Sequence, residues 1–180
     1  VKRSSSYKAV LRSMKNVEDS DYEVPAGLNA ELRPYQKFGF RWLMTLGAMG
    51  FGGILADDMG LGKTVQAIAY LAAVKENYEG DTPRHSLIIC PASLVYNWES
   101  EIHRFAPGLT VETVVGGAGS RQETIRNSRA DILLTSSDLL KRDVEAYQAA
   151  LFDHVFIDEP QNIQHHVTKT ETGATALGCD

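Results

Sequence analysis

The sequence predicts an α/β fold in three layers, a mainly parallel sheet flanked by helices. Three observations predict it. Short apolar runs alternate with stretches of helical spacing along the chain, the pattern of strands joined by crossover helices. One run, Gly52-Gly53-Ile54-Leu55, enters a Gly-rich turn that closes with Gly60-Leu61-Gly62-Lys63-Thr64 and opens into a helical segment. That is the layout of a phosphate-binding loop. Another run, Val155-Phe156-Ile157, delivers the paired carboxylates Asp158 and Glu159 to the carboxyl end of a strand, where parallel sheets bind ligands.

In order, Tyr7, Val10, Leu11 and Met14 fit one face of a short helix, and the acidic run Glu18-Asp19-Ser20-Asp21 with Pro25 and Gly27 reads as a linker. Residues 1–27 are therefore taken as the tail of a preceding region and residues 28–180 as the folded lobe. Pro34 suits a first helical turn, where its missing N–H costs nothing. Tyr35, Phe38, Trp42 and Leu46 then recur at helical spacing, with Gln36 and Arg41 off that stripe. After the phosphate loop, Leu61, Val65, Ile68 and Ala72 mark the buried face of a second helix. Leu87–Cys90 reads as a strand buried on both faces. Ser93 is the expected N-cap of a helix carrying Leu94, Val95, Trp98, Ile102 and Phe105. Thr110–Val115 is the next strand, and Ser120-Arg121-Gln122-Glu123 has the spacing of a capping box opening another helix. Asp131–Thr135 is a strand, Ser136-Ser137-Asp138 starts a helix through Leu139, Leu140 and Val144, and His154–Ile157 is the strand that ends at the paired carboxylates.

Composition narrows the function. The chain has 180 residues, 43% hydrophobic and 23% charged, a balance that supports one domain with a real core. A net charge of −5, from 18 basic and 23 acidic residues, excludes a global basic field, so nucleic acid binding would need a local surface or a partner domain. Cys90 and Cys179 are the only cysteines. That rules out a disulfide framework and fits a reducing compartment, with Cys90 a buried thiol. No signal peptide, membrane span or lipidation signal is legible. The chain starts at Val1 and stops at Asp180, which reads as a piece of a longer protein.

The loop chemistry follows from residue type. Gly60 and Gly62 let the backbone turn tightly and press N–H groups against phosphate oxygens, and the helix starting near Gly62 adds unpaired N–H groups and a positive dipole end. Lys63 reaches the β- and γ-phosphates, and the Thr64 hydroxyl can ligate Mg²⁺. The strict pattern G-x-x-x-x-G-K-[ST] fails at its start, where Asp57 stands. Asp158 would hold Mg²⁺, and Glu159 would orient and polarise the water attacking the γ-phosphate. The plain alternative is a pair of solvated carboxylates. Gln36 offers a carboxamide able to donate to and accept from an adenine edge; its plain alternative is a solvated helix residue.

The segments Leu32–Gln36, Leu55–Thr64, Cys90–Leu94, Leu134–Asp138 and Asp158–Gln161 resemble, in order and spacing, the Swi/Snf-type ATPases of helicase superfamily two. Ser93–Glu99 is similar to the bacterial members. The resemblance spans roughly residues 28–168 and implies a first RecA-like P-loop lobe of an ATP-driven translocase on double-stranded DNA. It implies ATP and Mg²⁺ as cofactors, with Asp58, Met59, Gly60, Leu61, Gly62, Lys63 and Thr64 around the nucleotide and Gln36 on adenine. It implies duplex DNA as a partner, touched at its phosphates by Pro91, Ala92, Ser93, Thr135, Ser136 and Ser137, and a second RecA-like lobe that completes the ATP site with arginines. A cytoplasmic, nucleoid-associated bacterial setting goes with it. Three departures stand out, one being that the chain is read as stopping before the family's Ser/Thr-Gly-Thr-Pro segment and its second lobe. Pro160 replaces the family's usual Ala and is expected to hold Glu159 extended. Gln164-His165-His166 replaces the usual Lys and Asn-Pro turn; adjacent histidines point to different faces, which argues against a metal site. An RNA helicase relative and a non-catalytic nucleotide-binding or interaction module are the other readings.

Overall fold

The computed structural model describes residues 17, 20–55, 62–80, 85–159 and 174–177. The elements are α1 (Pro34–Ala48), β1 (Ile54–Leu55), α2 (Lys63–Glu76), β2 (Ser86–Cys90), α3 (Val95–Phe105), β3 (Val111–Thr113), α4 (Ala118–Asn127), β4 (Ile132–Ser136), α5 (Ser137–Arg142), α6 (Val144–Ala149), β5 (His154–Asp158) and β6 (Ala174–Leu177). Among the described residues the strands form one sheet in the order β1-β6-β5-β2-β4-β3. Every pairing is parallel.

The pleat sorts the core into two halves. Ile88, Cys90, Ile132, Leu134 and Phe156 face α1, α2 and α3. Their alternates Leu87, Ile89, Leu133, Val155 and Ile157 face α4, α5 and α6. Both faces of β2 and β4 are buried, which is why Leu87–Cys90 and Ile132–Leu134 within them are unbroken apolar runs. The expected three-layer α/β architecture is thus the observed one. Ahead of α1, Tyr22 and Val24 pack against the first half of the core, and the N–H groups of Ala26 and Gly27 donate to the Glu76 carboxylate at the end of α2.

Several local expectations need correction. The buried face of α1 is not the Tyr35–Phe38–Trp42–Leu46 stripe: Gln36, Gly39, Phe40, Leu43, Thr45 and Leu46 are buried, while Tyr35 and Phe38 are 38% and 46% exposed. α1 turns this face inward because it crosses α2 closely at Gly39, where a Cβ would collide with the carboxamide of Gln66. Ser93 is not an N-cap; Ala92–Leu94 form a 3₁₀ turn, and α3 starts after Leu94 with no side-chain cap. Ser120 does not open α4, whose N-cap is Gly117. Ser120 sits inside the first turn, and its neighbour Arg121 turns inward to a buried pair with Asp143, at 2.6 Å and 3.0 Å. The helix expected through Val144 breaks at Asp143 into α5 and α6. The helix start expected at Ser136-Ser137-Asp138 holds, and the Ser136 hydroxyl caps it by accepting from the Leu139 N–H at 3.3 Å.

Candidate functional site

In a parallel sheet all carboxyl ends lie on one side. β1 and β5 flank β6, and the register sets Leu55 and Asp158 each opposite Leu177. The strand that leads into the Gly-rich turn and the strand that carries Asp158 therefore end level with each other, with β6 between them. Of the residues assigned to the loop by sequence, Asp58, Met59, Gly60 and Leu61 lie outside the described residues, as do Pro160, Gln161 and Gln164-His165-His166. Gly62, Lys63 and Thr64 are described, and they open α2.

Gly62 is the N-cap of α2 and takes a left-handed conformation, φ 77° and ψ 43°, which glycine adopts without strain. A Cβ there would lie 2.4 Å from Nε2 of Gln36. Gln36 is buried, not solvated, and its Oε1 accepts the Arg33 N–H at 2.9 Å. That bond fixes the amide on α1 and turns it to the first residue of the loop's exit. Gln36, Gly62, Lys63 and Thr64 are thus brought to one place.

Lys63, Thr64 and Asp158 line a single cavity of about 330 Å³, together with Gly62, Val65, Trp98, Glu101 and Phe105. The last three stand on one face of α3. Trp98 is 1% exposed, and its indole N–H donates to Oδ2 of Asp158 at 2.9 Å. Among the described residues it is the one side chain that bonds this carboxylate. Cys90, at the carboxyl end of the neighbouring strand, is pushed up to about 12 by burial and then by the Asp158 charge, so it stays a thiol that donates weakly to the Thr135 carbonyl at 3.8 Å. An ammonium, a hydroxyl and a carboxylate around a cavity at a helix N-terminus form a donor set that fits a Mg²⁺–nucleotide phosphate group.

Glu159 follows Asp158 with φ 53°. The extended geometry expected from Pro160 is therefore not found: the strand ends in a left-handed residue, a conformation that costs a non-glycine residue about 1–3 kcal/mol. Pro160 disfavours the right-handed helical region for the residue before it, and a bend at Glu159 is then left with the opposite hand.

The residues proposed to meet DNA separate into two groups. Pro91 is half-buried and Ala92 and Ser93 are exposed on the turn before α3. Thr135, Ser136 and Ser137 are buried with their hydroxyls engaged inside the fold: Thr135 Oγ1 accepts from Tyr147 at 2.8 Å, Ser136 caps α5, and Ser137 donates to the Cys90 carbonyl at 3.3 Å. Sequence reading missed Trp98 and Glu101 as cavity residues. The legible signal was the indole itself, since a buried tryptophan N–H finds an acceptor.

Comparison with known proteins shows the family and the fold. Residues 35–180 match the SNF2-related domain. The chain is 38% identical over 169 residues to the putative ATP-dependent helicase/translocase YwqA of Bacillus subtilis, covering 92% of this chain and 18% of that protein. It is 40% identical over 153 residues to helicase SWR1 of Kluyveromyces lactis, covering 81% and 9%. Among solved structures, the Sulfolobus solfataricus SWI2/SNF2 ATPase core in complex with dsDNA superposes with a TM-score of 0.71 at 36% identity, over 87% of this chain and 34% of that one. The Sulfolobus solfataricus SWI2/SNF2 ATPase core domain superposes with a TM-score of 0.67 at 34% identity, over 88% of this chain and 34% of that one. The chain spans under a fifth of these curated relatives and about a third of the solved chains. With its three-layer RecA-like architecture and a match over most of its length, the chain belongs to the SNF2-related domain family.

Proposed function

We propose that this chain is the ATP-binding lobe of a motor that hydrolyses ATP to move along double-stranded DNA. The observation that carries this reading is the cavity that gathers Lys63, Thr64 and Asp158 at the carboxyl edge of the sheet. There Lys63 would meet the β- and γ-phosphates and Thr64 and Asp158 would hold Mg²⁺; Gln36, beside Gly62, would face the base, and the loop residues Asp58, Met59, Gly60 and Leu61 belong to the same nucleotide site by sequence. When bound, Mg²⁺ would supply charge neutralisation at the phosphates, and Glu159 would hold the attacking water. DNA phosphates meet the exposed Ala92–Ser93 turn, with Pro91 behind it. Any contribution from Thr135, Ser136 and Ser137 comes through the backbone, because their hydroxyls are engaged in the fold. Such contacts position a duplex without reading its sequence.

The facing lobe, supplied by the rest of the protein, brings the arginines, which in comparable sites are worth on the order of 1,000-fold or more. The isolated chain is accordingly a weak ATPase. Among the described residues no helix is long and apolar enough to cross a membrane, and a cytoplasmic, nucleoid-associated bacterial setting is the one this reading implies. Steady-state hydrolysis by the full-length protein, with duplex DNA, with RNA and with neither, tests it. Stimulation by duplex DNA is expected; stimulation by RNA alone replaces the reading with an RNA helicase relative. One observation favours a second reading, a nucleotide-binding module without turnover: the left-handed Glu159 before Pro160. Nucleotide binding with no hydrolysis under any of the three conditions would establish it.

A further inference from the structure

Among the described residues Asp158 is the only carboxylate on the wall of the cavity that comes from the sheet, and its Oδ2 is already engaged. The donor is Trp98, which lies 60 residues away in sequence and is fully buried on α3. An indole N–H is a donor only; it cannot rotate or exchange roles as a hydroxyl or a water can. The ring is held on the α3 face packed against the sheet, in the same core half as Val95, Ile102 and Phe156. A rigid, single-purpose donor therefore fixes one oxygen of the carboxylate before any ligand arrives, and Oδ1 remains for a cation.

We propose that Trp98 is a positioning residue for the metal-binding carboxylate, preorganising Asp158 so that it receives Mg²⁺ with the nucleotide. The inference rests on the nucleotide-site reading above and adds to it a residue outside the loop and the Asp-Glu pair. Groups that orient a ligating carboxylate contribute about 10–100-fold to metal affinity or activity. Phenylalanine at this position keeps the aromatic packing and removes the N–H. It leaves Oδ2 of Asp158 without its donor and lets the carboxylate rotate.

The test uses Mn²⁺ as the probe in the full-length protein, with free Mn²⁺ followed by electron paramagnetic resonance in the presence of saturating ADP. Trp98→Phe is expected to weaken ADP-dependent Mn²⁺ binding about tenfold, with metal-free ADP affinity and the thermal midpoint little changed. A wild-type protein that takes up no Mn²⁺ with ADP overturns the nucleotide-site reading and this proposal with it. Normal wild-type uptake with unchanged uptake by Trp98→Phe overturns the proposal alone. If Trp98→Phe does not fold, 5-fluorotryptophan placed at position 98 decides by ¹⁹F resonance. A shift on adding Mg²⁺ and ADP, and severe broadening with Mn²⁺ and ADP, support the proposal; an unmoved resonance in both overturns it.

Discussion

Gln36 and Gly62 are built against each other: the Gln36 amide occupies the space that any side chain at position 62 would need, 2.4 Å from an added Cβ. Two penalties meet at that position, the contact and the left-handed φ of 77°. Gly62→Ala is expected to cost about 1–2 kcal/mol from the backbone alone and to weaken nucleotide binding more than about tenfold. Thermal unfolding and nucleotide titration measure the two effects. In a Gln36→Ala background the stability loss shrinks, because the contact is gone and only the backbone penalty remains.

Glu159 sits in a conformation that glycine prefers. Glu159→Gly is therefore expected to hold or raise the thermal midpoint while abolishing DNA-stimulated turnover in the full-length protein. Glu159→Gln abolishes turnover with binding retained, since the amide keeps the size and loses the charge that polarises water. A destabilised Glu159→Gly protein would show that the left-handed turn is not what the sequence tolerates there. Pro160→Ala restores the right-handed region to Glu159 and is expected to change turnover by about tenfold or more, a displacement effect of the size that small misplacements produce.

Arg121 and Asp143 form a buried bidentate pair, 7% and 6% exposed, and Arg121 also donates to the Gly116 carbonyl at 2.7 Å. Removing one partner leaves the other charge buried and uncompensated. Asp143→Ala is expected to lower the thermal midpoint more than the double variant Asp143→Ala, Arg121→Met does. Denaturant unfolding of both variants measures the difference; additive losses would show that the pair is solvated.

Asp131 ties the far end of the sheet together. Burial pushes its carboxyl up, but the Lys75 ammonium at 2.7 Å and the N–H and hydroxyl of Thr110, each at 2.7 Å, outweigh it and hold the carboxyl below its ordinary 3.8. A depressed folded value means the stabilisation is complete above the unfolded value and is lost as pH falls through the folded one. Asp131→Asn is expected to lower the midpoint by roughly a few degrees at neutral pH. The gap to the parent begins to narrow near pH 3.8, the ordinary value, and keeps narrowing as pH falls further. Parallel melting curves from pH 7 to pH 3 check it.

The layer arrangement was legible because burial on both faces leaves a local mark: Leu87–Cys90 and Ile132–Leu134 are apolar without interruption. The cap at Ser136 was legible for the same reason, since the hydroxyl and the N–H it accepts are three residues apart. What the sequence hid was set by partners far along the chain. The α1 face is chosen by Gly39 meeting Gln66 on another helix. Arg121 is buried by a carboxylate 22 residues on, so a polar residue in a capping pattern became part of the core. Trp98 read as core and is core, but its acceptor lies 60 residues away. At Glu159 the local signal pointed the wrong way, because proline restricts one bend and leaves the other open.

The strand order carries a consequence for how the polypeptide is born. Among the described residues β1 pairs only with β6, the last strand in sequence. As synthesis proceeds from the amino end, β2, β3, β4 and β5 can assemble while β1 waits at an open flank for a companion not yet translated. The strand that enters the Gly-rich turn is thus docked only when Ala174–Leu177 leaves the ribosome. The edge that carries Leu55 is therefore completed only after the chain of β2 to β5 has been made.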